Sequence, residues 1–529
     1  MWRKFVALPL AIILLCLSGP LTAVAGEYAG SNIVTNNIHD HEYGQNSYVS
    51  DSYIANNGDG TFSRVENMGD IILVEKYNAS CRLISQMTVP FELSLFGGFY
   101  SGANYNYLVF GQPNPSQSTS LECVRIVKYS KNWVRLGCVS VTNCNTTIPF
   151  YGCGTDICEY GNYLYVRMGH QTYADALGIA RQATMTISCR MDTFQVADVQ
   201  SGLSGMTYGC IENTGATYID ATDGVLAVAD HSLVSPYGIV VSRYGNNASN
   251  GRFQSSCANA SFLGSVGSAT GYLSSFSLGG FESSAQYYLV AGNTNPQDGT
   301  SSNQNVFVAA IPKNGFSSAN VSFSYLTGYA YGVMESTVTP YLVKINSNMF
   351  LVLWETREGY SDTGVVHYAF VDGRGQRTSD VKSMNGCLSD CQPVVVGNKV
   401  VWYTTNGANM RLYTIPLSDN TSAQQVYVTG QNRIGGVDYS AVFDFNYYIN
   451  RYPDIRVLMG NNPEAALQHF ITSGMAEGRQ GCENFNVAVY RENYSDLQAA
   501  FGNNLQLYYL HFMTSGNSEG RNARTRINP

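Results

Sequence analysis

Polar side chains that could bind a ligand or transfer a proton stand at the ends of several strongly apolar stretches of the sequence. Such stretches end at His170, at Asp230-His231 and at Trp354-Glu355. Histidine and carboxylate groups exchange protons and bond to hydroxyl groups, and tryptophan offers a flat apolar face. Because ligands of β proteins bind near strand ends and the loops that join them, we predict that these five residues contact a ligand.

Acidic side chains extend this hypothesis towards catalysis. Hydrolysis of a glycosidic bond needs two carboxyl groups about 5–10 Å apart. Glu92, Glu159, Glu282 and Glu355 could supply such a pair, but the sequence does not say which of them share a cleft. Signatures of serine hydrolases, phosphate-binding loops, zinc proteases and dinucleotide-binding folds are missing. We therefore leave the catalytic residues unassigned and favour a protein that is not an enzyme.

Two short stretches have the composition of metal ligands. His39-Asp40-His41-Glu42 lies in a polar region with no further partner indicated. Asn57-Gly58-Asp59-Gly60 favours a turn over a calcium loop, because the later acidic ligands of such a loop are missing. The sequence predicts neither a metal site nor a cofactor.

The chain begins with the pattern of a secretory signal peptide. A basic start is followed by an apolar run over 5–17 and by Ala23-Val24-Ala25, so we predict a signal peptide over residues 1–25. No other apolar run is long enough to cross a membrane. Loss of Arg3 and Lys4 changes the net charge from −8 to −10. An acidic chain is a poor partner for nucleic acid, because that affinity depends on Lys and Arg.

Twelve cysteines remain after the signal peptide. An even number in an exported chain favours disulfides over free buried thiols, and neither C-x-x-C pairs nor nearby histidines support zinc. The candidates are the close-spaced cysteines Cys123, Cys138, Cys144, Cys153, Cys158, Cys387 and Cys391.

The elements that would position these residues are short strands. From about 62 to 417, β-branched and aromatic runs of strand length alternate with Gly, Asn and Ser in seven groups of roughly 50 residues, the size of a propeller blade. Gly97-Gly98-Phe99 recurs as Gly279-Gly280-Phe281 with similar residues after it, as two blades of one ring would. We predict a mainly β fold with a propeller of seven blades, within a range of six to eight; the alternative is a pair of β-sandwiches.

The C-terminal part is a gapless duplication. Residues 443–481 match 485–523 at an offset of 42, for example at His469/His511 and Glu477/Glu519. Asn462-Pro463 can begin a helix in the first copy, and Gly474 can end it. We predict a polar N-terminal segment over 26–60, a propeller over 61–430, and a small all-α domain over 438–529 whose two copies pack together.

The duplicated tail resembles a short helical repeat of exported bacterial surface proteins, on Tyr452-Pro453-Asp454, on 466–470 and on Glu477-Gly478-Arg479. This resemblance implies attachment or adhesion. The body is similar to uncharacterised secreted propeller-like proteins of gut anaerobes, on 96–100, 105–112 and 127–133. That group carries more histidines in its middle blades than this chain does.

Together these patterns favour an extracellular binding or adhesion protein. Its propeller would recognise a glycan or an extracellular protein, and its tail would hold it to a surface such as a cell wall. A secreted carbohydrate-active enzyme and a structural surface protein without a ligand remain the alternatives. Tyrosine-rich surfaces support a glycan, since aromatic rings stack on sugars while amides and carboxylates bond their hydroxyls.

Overall fold

A computed structural model describes residues 35–527, apart from gaps at 39–48, 80, 202–213, 233–237, 245–248, 254–256, 264–275, 295–303, 330–334, 338, 359–363, 406–409, 418–423, 428–431, 435–436 and 460–462. The predicted signal peptide and the stretch His39 to Glu42 lie outside the described residues. No helix in the described part of the chain is long and apolar enough to cross a membrane.

The strands form seven antiparallel sheets in chain order, which confirms the seven-bladed propeller. The first four blades are built from β1 Ser52–Asn56, β2 Phe62–Asn67, β3 Ile71–Tyr77 and β4 Leu83–Pro90; β5 Leu95–Ser101, β6 Tyr105–Gly111, β7 Val124–Ser130 and β8 Arg135–Val141; β9 Ile148–Pro149, β10 Thr155–Tyr160, β11 Tyr163–Gln171, β12 Gln182–Arg190 and β13 Gln195–Gln200; and β14 Thr214–Asp220, β15 Ala227–Ser232, β16 Gly238–Arg243 and β17 Ala258–Phe262.

The last three blades follow the same plan. They comprise β18 Gly280–Ser283, β19 Tyr287–Thr294, β20 Asn305–Pro312 and β21 Ser322–Tyr325; β22 Glu335–Thr337, β23 Tyr341–Asn346, β24 Met349–Glu358, β25 Val365–Asp372 and β26 Lys382–Asn385; and β27 Val394–Val396, β28 Lys399–Thr405, β29 Met410–Pro416 and β30 Gln424–Tyr427. Strand β1 lies inside the stretch that we expected to be a polar N-terminal segment. It pairs with β2 across the turn at Gly58, so the first blade begins there.

The blades close into a ring through their first strands. Each of these strands contacts the first strand of the next blade, in the order β1, β5, β10, β14, β18, β23, β27 and back to β1. Apolar side chains fill the spaces between neighbouring blades, with clusters such as Leu108 and Val65 between blades 1 and 2 and Leu289 and Val352 between blades 5 and 6. Packing of sheet faces on both neighbours therefore provides the core.

In the described part of the chain, blades 1 and 7 meet without exchanging a strand, since each is made of consecutive strands. A short segment over 35–38 bridges them instead: the Asn37 amide donates to the Thr405 carbonyl at 3.0 Å, and the Thr405 amide donates to Asn37 Oδ1 at 2.7 Å. Beside it, Arg64 Nη1 lies 3.0 Å from Glu75 Oε2, and the Tyr403 hydroxyl donates to Glu66 Oε2 at 3.0 Å. This buried polar cluster joins the two ends of the ring.

The repeated Gly-Gly-Phe motif has a packing role. Gly97 and Gly279 lie at the first strands of blades 2 and 5, where the next blade comes closest. A Cβ at Gly97 would stand 2.1 Å from the Phe150 ring, and one at Gly279 would stand 1.9 Å from the Pro340 carbonyl oxygen. Only glycine allows this approach of one blade to the next.

The cysteines differ from expectation. Cys123, Cys138, Cys144, Cys158 and Cys391 have free thiols, so the disulfides predicted for them are not formed in this structure. Cys138 is exposed on outer strand β8, whereas Cys158 lies on first strand β10 of the next blade. Cys123 and Cys144 are buried, and the Cys123 thiol donates to the Thr146 carbonyl at 3.6 Å. Close spacing in sequence therefore did not mean bonded sulfurs, because strand geometry places most of these residues on separate strands.

After a short hairpin of β31 Arg433–Ile434 and β32 Val437–Asp438, the tail is helical. It contains α1 Phe445–Arg451, α2 Pro453–Met459, α3 Pro463–His469, α4 Val487–Asn493, α5 Ser495–Phe501 and α6 Leu505–His511, and π-helical turns follow α3 and α6. Both copies share one core, with Phe470 of the first copy 5.6 Å from Tyr509 of the second between ring centroids. Each copy thus has three helices, more than its sequence indicated.

The paired residues of the two copies make the same contacts. His469 Nδ1 lies 3.1 Å from the Tyr448 hydroxyl, and His511 Nδ1 lies 2.9 Å from the Tyr490 hydroxyl. Arg479 pairs with Glu477 and Asp454, and Arg521 pairs with Glu519 and Asp496. These contacts support a structural role for the repeated His and the Glu-Gly-Arg motif.

Candidate functional site

The first strands of the seven blades enclose a cavity at the centre of the ring. Its volume is about 1130 Å³, and every blade contributes to its wall. The wall comprises β1, β5, the start of β10, the middle of β14, residues 277–278 before β18, Thr339 and Tyr341 of blade 6, and Asp390 to Val394 of blade 7. Because these strands all start at the same side of the ring, their first residues form one concave surface.

Aromatic side chains dominate this wall. There are nine of them: Tyr53, Phe91, Phe96, Phe99, Tyr100, Phe150, Tyr151, Tyr218 and Tyr341. Most are held by neighbours, as Tyr53 is by Phe99 with ring centroids 5.6 Å apart. Tyr151 differs because it is 44% exposed. Among the nine, its side chain is therefore the most accessible to a ligand.

Three carboxyl groups, from Asp51, Asp156 and Asp390, also line the cavity. The Asp51 amide donates to Asp390 Oδ2 at 2.7 Å, and Asn67 Nδ2 donates to Asp51 Oδ1 at 2.7 Å. The second Asp390 oxygen, Oδ1, is buried and has no hydrogen-bond partner among the described residues. Burial raises the pKa of Asp390 well above its usual range. Burial therefore favours the protonated form of this carboxyl group.

Asp156 connects two blades at the wall. Its Oδ2 accepts the Ile219 amide of β14 at 2.8 Å, and its Oδ1 accepts the Ile157 amide at 2.9 Å. Burial nevertheless raises the pKa of Asp156 to about 7, and burial raises the pKa of Glu282, on the first strand of blade 5, to about 8. The charge of Asp220 adds to both shifts. These acids therefore titrate near neutral pH.

These shifts predict a pH dependence of stability. The folded chain keeps the Asp156 proton up to about pH 7, whereas an unfolded aspartate loses it near pH 4. The contribution of Asp156 to the free energy of unfolding therefore falls as pH rises from about 4 to about 7. We expect the free energy of unfolding of Asp156→Asn to fall less than that of the wild type between pH 4 and pH 8, with a difference of a few kcal/mol. Urea unfolding at both pH values measures it.

Comparison with the variant is needed because buried histidines act in the opposite direction. Burial lowers the pKa of both His170 and His231 to about 4, so protonation at low pH favours the unfolded chain. Parallel stability curves for wild type and Asp156→Asn would contradict the assignment to Asp156.

Of the five residues predicted to contact a ligand, His231 lines the cavity. Its ring packs on Phe276 at 4.4 Å between centroids. His170 is fully buried at the end of β11, where Nδ1 lies 2.9 Å from Thr146 Oγ1. Neither imidazole carries a charge at neutral pH, since burial lowers both pKa values.

The structure places the other three between or within blades. Asp230 forms a buried ion pair with Arg167 of the preceding blade, with 2.6 Å between Oδ2 and Nη2, and accepts the Thr217 hydroxyl at 2.6 Å. Glu355 Oε2 accepts the Leu388 amide at 2.7 Å. Trp354 is 1% exposed and stacks on His367. Their polar groups act in packing, and none of the three is part of the cavity wall.

The cavity residues that sequence reasoning missed lie on the first strands. Asp156, Tyr218 and Tyr341 belong to short segments of mixed polarity that precede the apolar second strands. A recurring signal was available: most of the apolar second strands follow a strand that contains polar or tyrosine residues. In a propeller, that preceding strand faces the axis.

No protein-family model matches the chain, and no curated protein matches it. Among solved structures the chain is similar to Drosophila Plexin A in complex with Semaphorin 1b, with 11% identity, a TM-score of 0.41, and coverage of 75% of this chain and 88% of that one. It is also similar to an oligogalacturonate lyase in complex with manganese, with 7% identity, a TM-score of 0.40, and coverage of 76% and 98%.

Proposed function

We propose that this protein is a secreted or surface-associated binding protein that takes a glycan into the central cavity of its propeller. The observation that carries the proposal is the aromatic and carboxylate lining of one cavity of about 1130 Å³. Small-molecule sites occupy roughly 300–1,000 Å³, so this space suits more than one sugar ring. Aromatic faces cover the C–H faces of sugars, while carboxyl and amide groups bond the hydroxyls.

A glycan fits this concave site better than a flat protein surface does. The side chains available to an incoming ligand include Tyr151, and Gln392 is exposed at the blade 7 part of the wall. Both can bond hydroxyl groups without a change in their charge. An extracellular protein partner would need a protruding loop to reach the same side chains.

The tail serves attachment in this proposal. The resemblance to repeats of surface proteins supports this role, and so do the exposed apolar residues of α2. Val457 is 85% exposed and Leu458 is 72% exposed. Apolar side chains that remain so accessible are suited to contact another surface.

Binding of neutral oligosaccharides to the full chain tests the proposal. We expect Tyr151→Ala to weaken binding about 5-fold, because one stacking face is worth about 1 kcal/mol. Tyr325→Ala is the matched control: Tyr325 is 50% exposed on outer strand β21, away from the cavity. Isothermal titration with a panel of plant and microbial oligosaccharides measures both. Equal losses in the two variants, or no binding to any of the panel, would contradict a cavity site.

A carbohydrate-active enzyme is the second candidate. The observation that favours it is the pKa of about 7 to which burial raises Asp156 at the cavity wall. A carboxyl group that holds its proton near neutral pH can act as a general acid. Release of reducing sugar ends from polysaccharides, lost in Asp156→Asn, would favour this candidate over binding alone.

A further inference from the structure

Apart from His231 and the tyrosines, the ionisable side chains on the described wall of the cavity are all carboxylic acids. Asp51, Asp156 and Asp390 lie on its wall, and none of the described residues of the wall is Lys or Arg. A ligand with a carboxylate or sulfate would enter beside three acidic groups and find no cation to pair with. A ligand with a positive charge would find acidic partners on three blades.

Asp390 gives this acidic wall a specific acceptor. The residue is 7% exposed, and its Oδ2 is occupied by the Asp51 amide at 2.7 Å. Its Oδ1 has no hydrogen-bond partner among the described residues. A buried polar atom without a partner is rare in folded proteins, because it loses its bond to water and gains nothing in return. An incoming N–H donor would satisfy it.

Tyrosine side chains line the same cavity, among them Tyr53 and Tyr341. Burial raises the pKa of Tyr53, and the charges of Asp390, Asp51 and Asp156 raise it further. Burial and the Asp390 charge likewise raise the pKa of Tyr341. Phenol rings attract ammonium groups through their faces, and phenol oxygens accept hydrogen bonds from them.

We propose that the glycan of this cavity carries free amino groups, and that a protonated amine binds Asp390 Oδ1 with Asp51 and Asp156 as further acidic neighbours. This inference rests on the proposed glycan site and names its ligand class: an oligosaccharide of amino sugars whose nitrogen is not acetylated. Ammonium has three donors and no acceptor, which matches an acceptor-rich wall without cations. Acetylation would remove the charge, and a uronic acid would reverse it.

Binding should also expel a proton. Without a ligand, burial favours the protonated form of Asp390, whereas an ammonium group beside it favours the charged carboxylate. The titratable groups that act on Asp390 are Asp51 and Glu66, and it acts in turn on Tyr53, Tyr341, Cys391 and Tyr403. Tyrosines hold their protons near neutral pH. The protons exchanged at pH 6 are therefore those released by the carboxyl groups of the wall less those taken up by any unprotonated amine of the ligand.

Isothermal titration of the full chain at pH 6 with three tetrasaccharides tests the inference: one of glucosamine, one of N-acetylglucosamine and one of galacturonic acid. We expect the glucosamine tetramer to bind at least ~10-fold more tightly than its acetylated counterpart, and the uronate to bind most weakly. Repeating the titration in two buffers of different ionisation enthalpy should show protons released with glucosamine and none with N-acetylglucosamine.

Asp390→Asn keeps the shape of the side chain and removes its charge. We expect the preference of this variant for the glucosamine tetramer over the N-acetylglucosamine tetramer to fall at least ~10-fold. Its affinity for the N-acetylglucosamine tetramer should change less than ~2-fold. Asp51→Asn is the second variant should Asp390→Asn fail to fold, and thermal unfolding checks both. Equal binding of the acetylated tetramer by the wild type, or a preference that survives in the variants, overturns the inference and leaves a glycan site. Failure of all three tetramers to bind overturns the inference and counts against the proposed function as well.

Discussion

Replacing Arg64 by methionine is expected to lower the free energy of unfolding of the propeller by about 3–5 kcal/mol, the cost of breaking a buried ion pair from one side. Arg64 is fully buried where blades 1 and 7 meet. Its Nε donates to Glu66 Oε2 at 2.6 Å, and its Nη1 lies 3.0 Å from Glu75 Oε2. Methionine fills the space but leaves two buried carboxyl groups without their cation.

The position of this cluster makes the effect larger than that of an ordinary ion pair. Among the described residues, side chains and the segment 35–38 join blades 1 and 7, and no strand is shared between them. Arg64 also lies over the Tyr403 ring of blade 7, 5.1 Å from its centroid. The substitution therefore weakens the contact between blades 1 and 7, where the ring would open.

Urea unfolding followed by tryptophan fluorescence measures this prediction. Trp133, Trp354 and Trp402 all belong to the propeller, and the residues 438–529 contain no tryptophan. Arg190→Met is the matched control, because its pair with Asp192 has side chains 46% and 47% exposed. Such exposed pairs contribute about 0–1 kcal/mol. Equal stability of Arg64→Met and Arg190→Met would show that the cluster does not close the ring.

Adding one methyl group at Gly279 is expected to destabilise the propeller by about 3 kcal/mol or more, since overpacking at a rigid contact forces the backbone to move. The new Cβ would stand 1.9 Å from the Pro340 carbonyl oxygen and 2.8 Å from Thr339 Cγ2. A backbone oxygen on a neighbouring blade cannot rotate away as a flexible side chain would. Blades 5 and 6 would have to separate at their first strands.

Gly328→Ala is the control for this prediction, because nothing lies within 4 Å of the Cβ that it adds. We expect its unfolding midpoint in urea to stay within about 0.5 kcal/mol of the wild type. Gly279→Ala should also change the cavity wall, since residues 277–278 and Thr339 belong to it. An alanine variant as stable as the wild type would mean that the blades are spaced more widely than described.

The seven blades were predictable because their second and third strands are long, β-branched and almost wholly buried. The run from Leu164 to Met168, for example, has the residue types of a strand that is buried on both faces. The repeat of the Gly-Gly-Phe motif was informative for a physical reason. Both copies lie where two blades are so close that a side chain would not fit between them. In the tail, helices of seven residues are too short to show an apolar face, so three helices per copy were not foreseen.

The candidate site was less predictable, for reasons that concern the same strands. His170, Asp230 and Glu355 were chosen because they end the most apolar strands, and those strands are the ones buried inside the blades. There, a polar side chain must find a partner, as Asp230 finds Arg167 from a distant part of the sequence. The axis is lined by shorter strands whose polar and aromatic residues, such as Asp156 and Tyr218, look unremarkable until seven of them are arranged in a ring.

A crystal structure of the full chain grown with the glucosamine tetrasaccharide tests the central claim most directly. We predict sugar rings inside the cavity, one of them stacked on Tyr151 and an amino nitrogen within hydrogen-bond distance of Asp390 Oδ1. A tetrasaccharide bound on the outer strands or on the tail, with the cavity left to solvent at saturating ligand, would contradict the account.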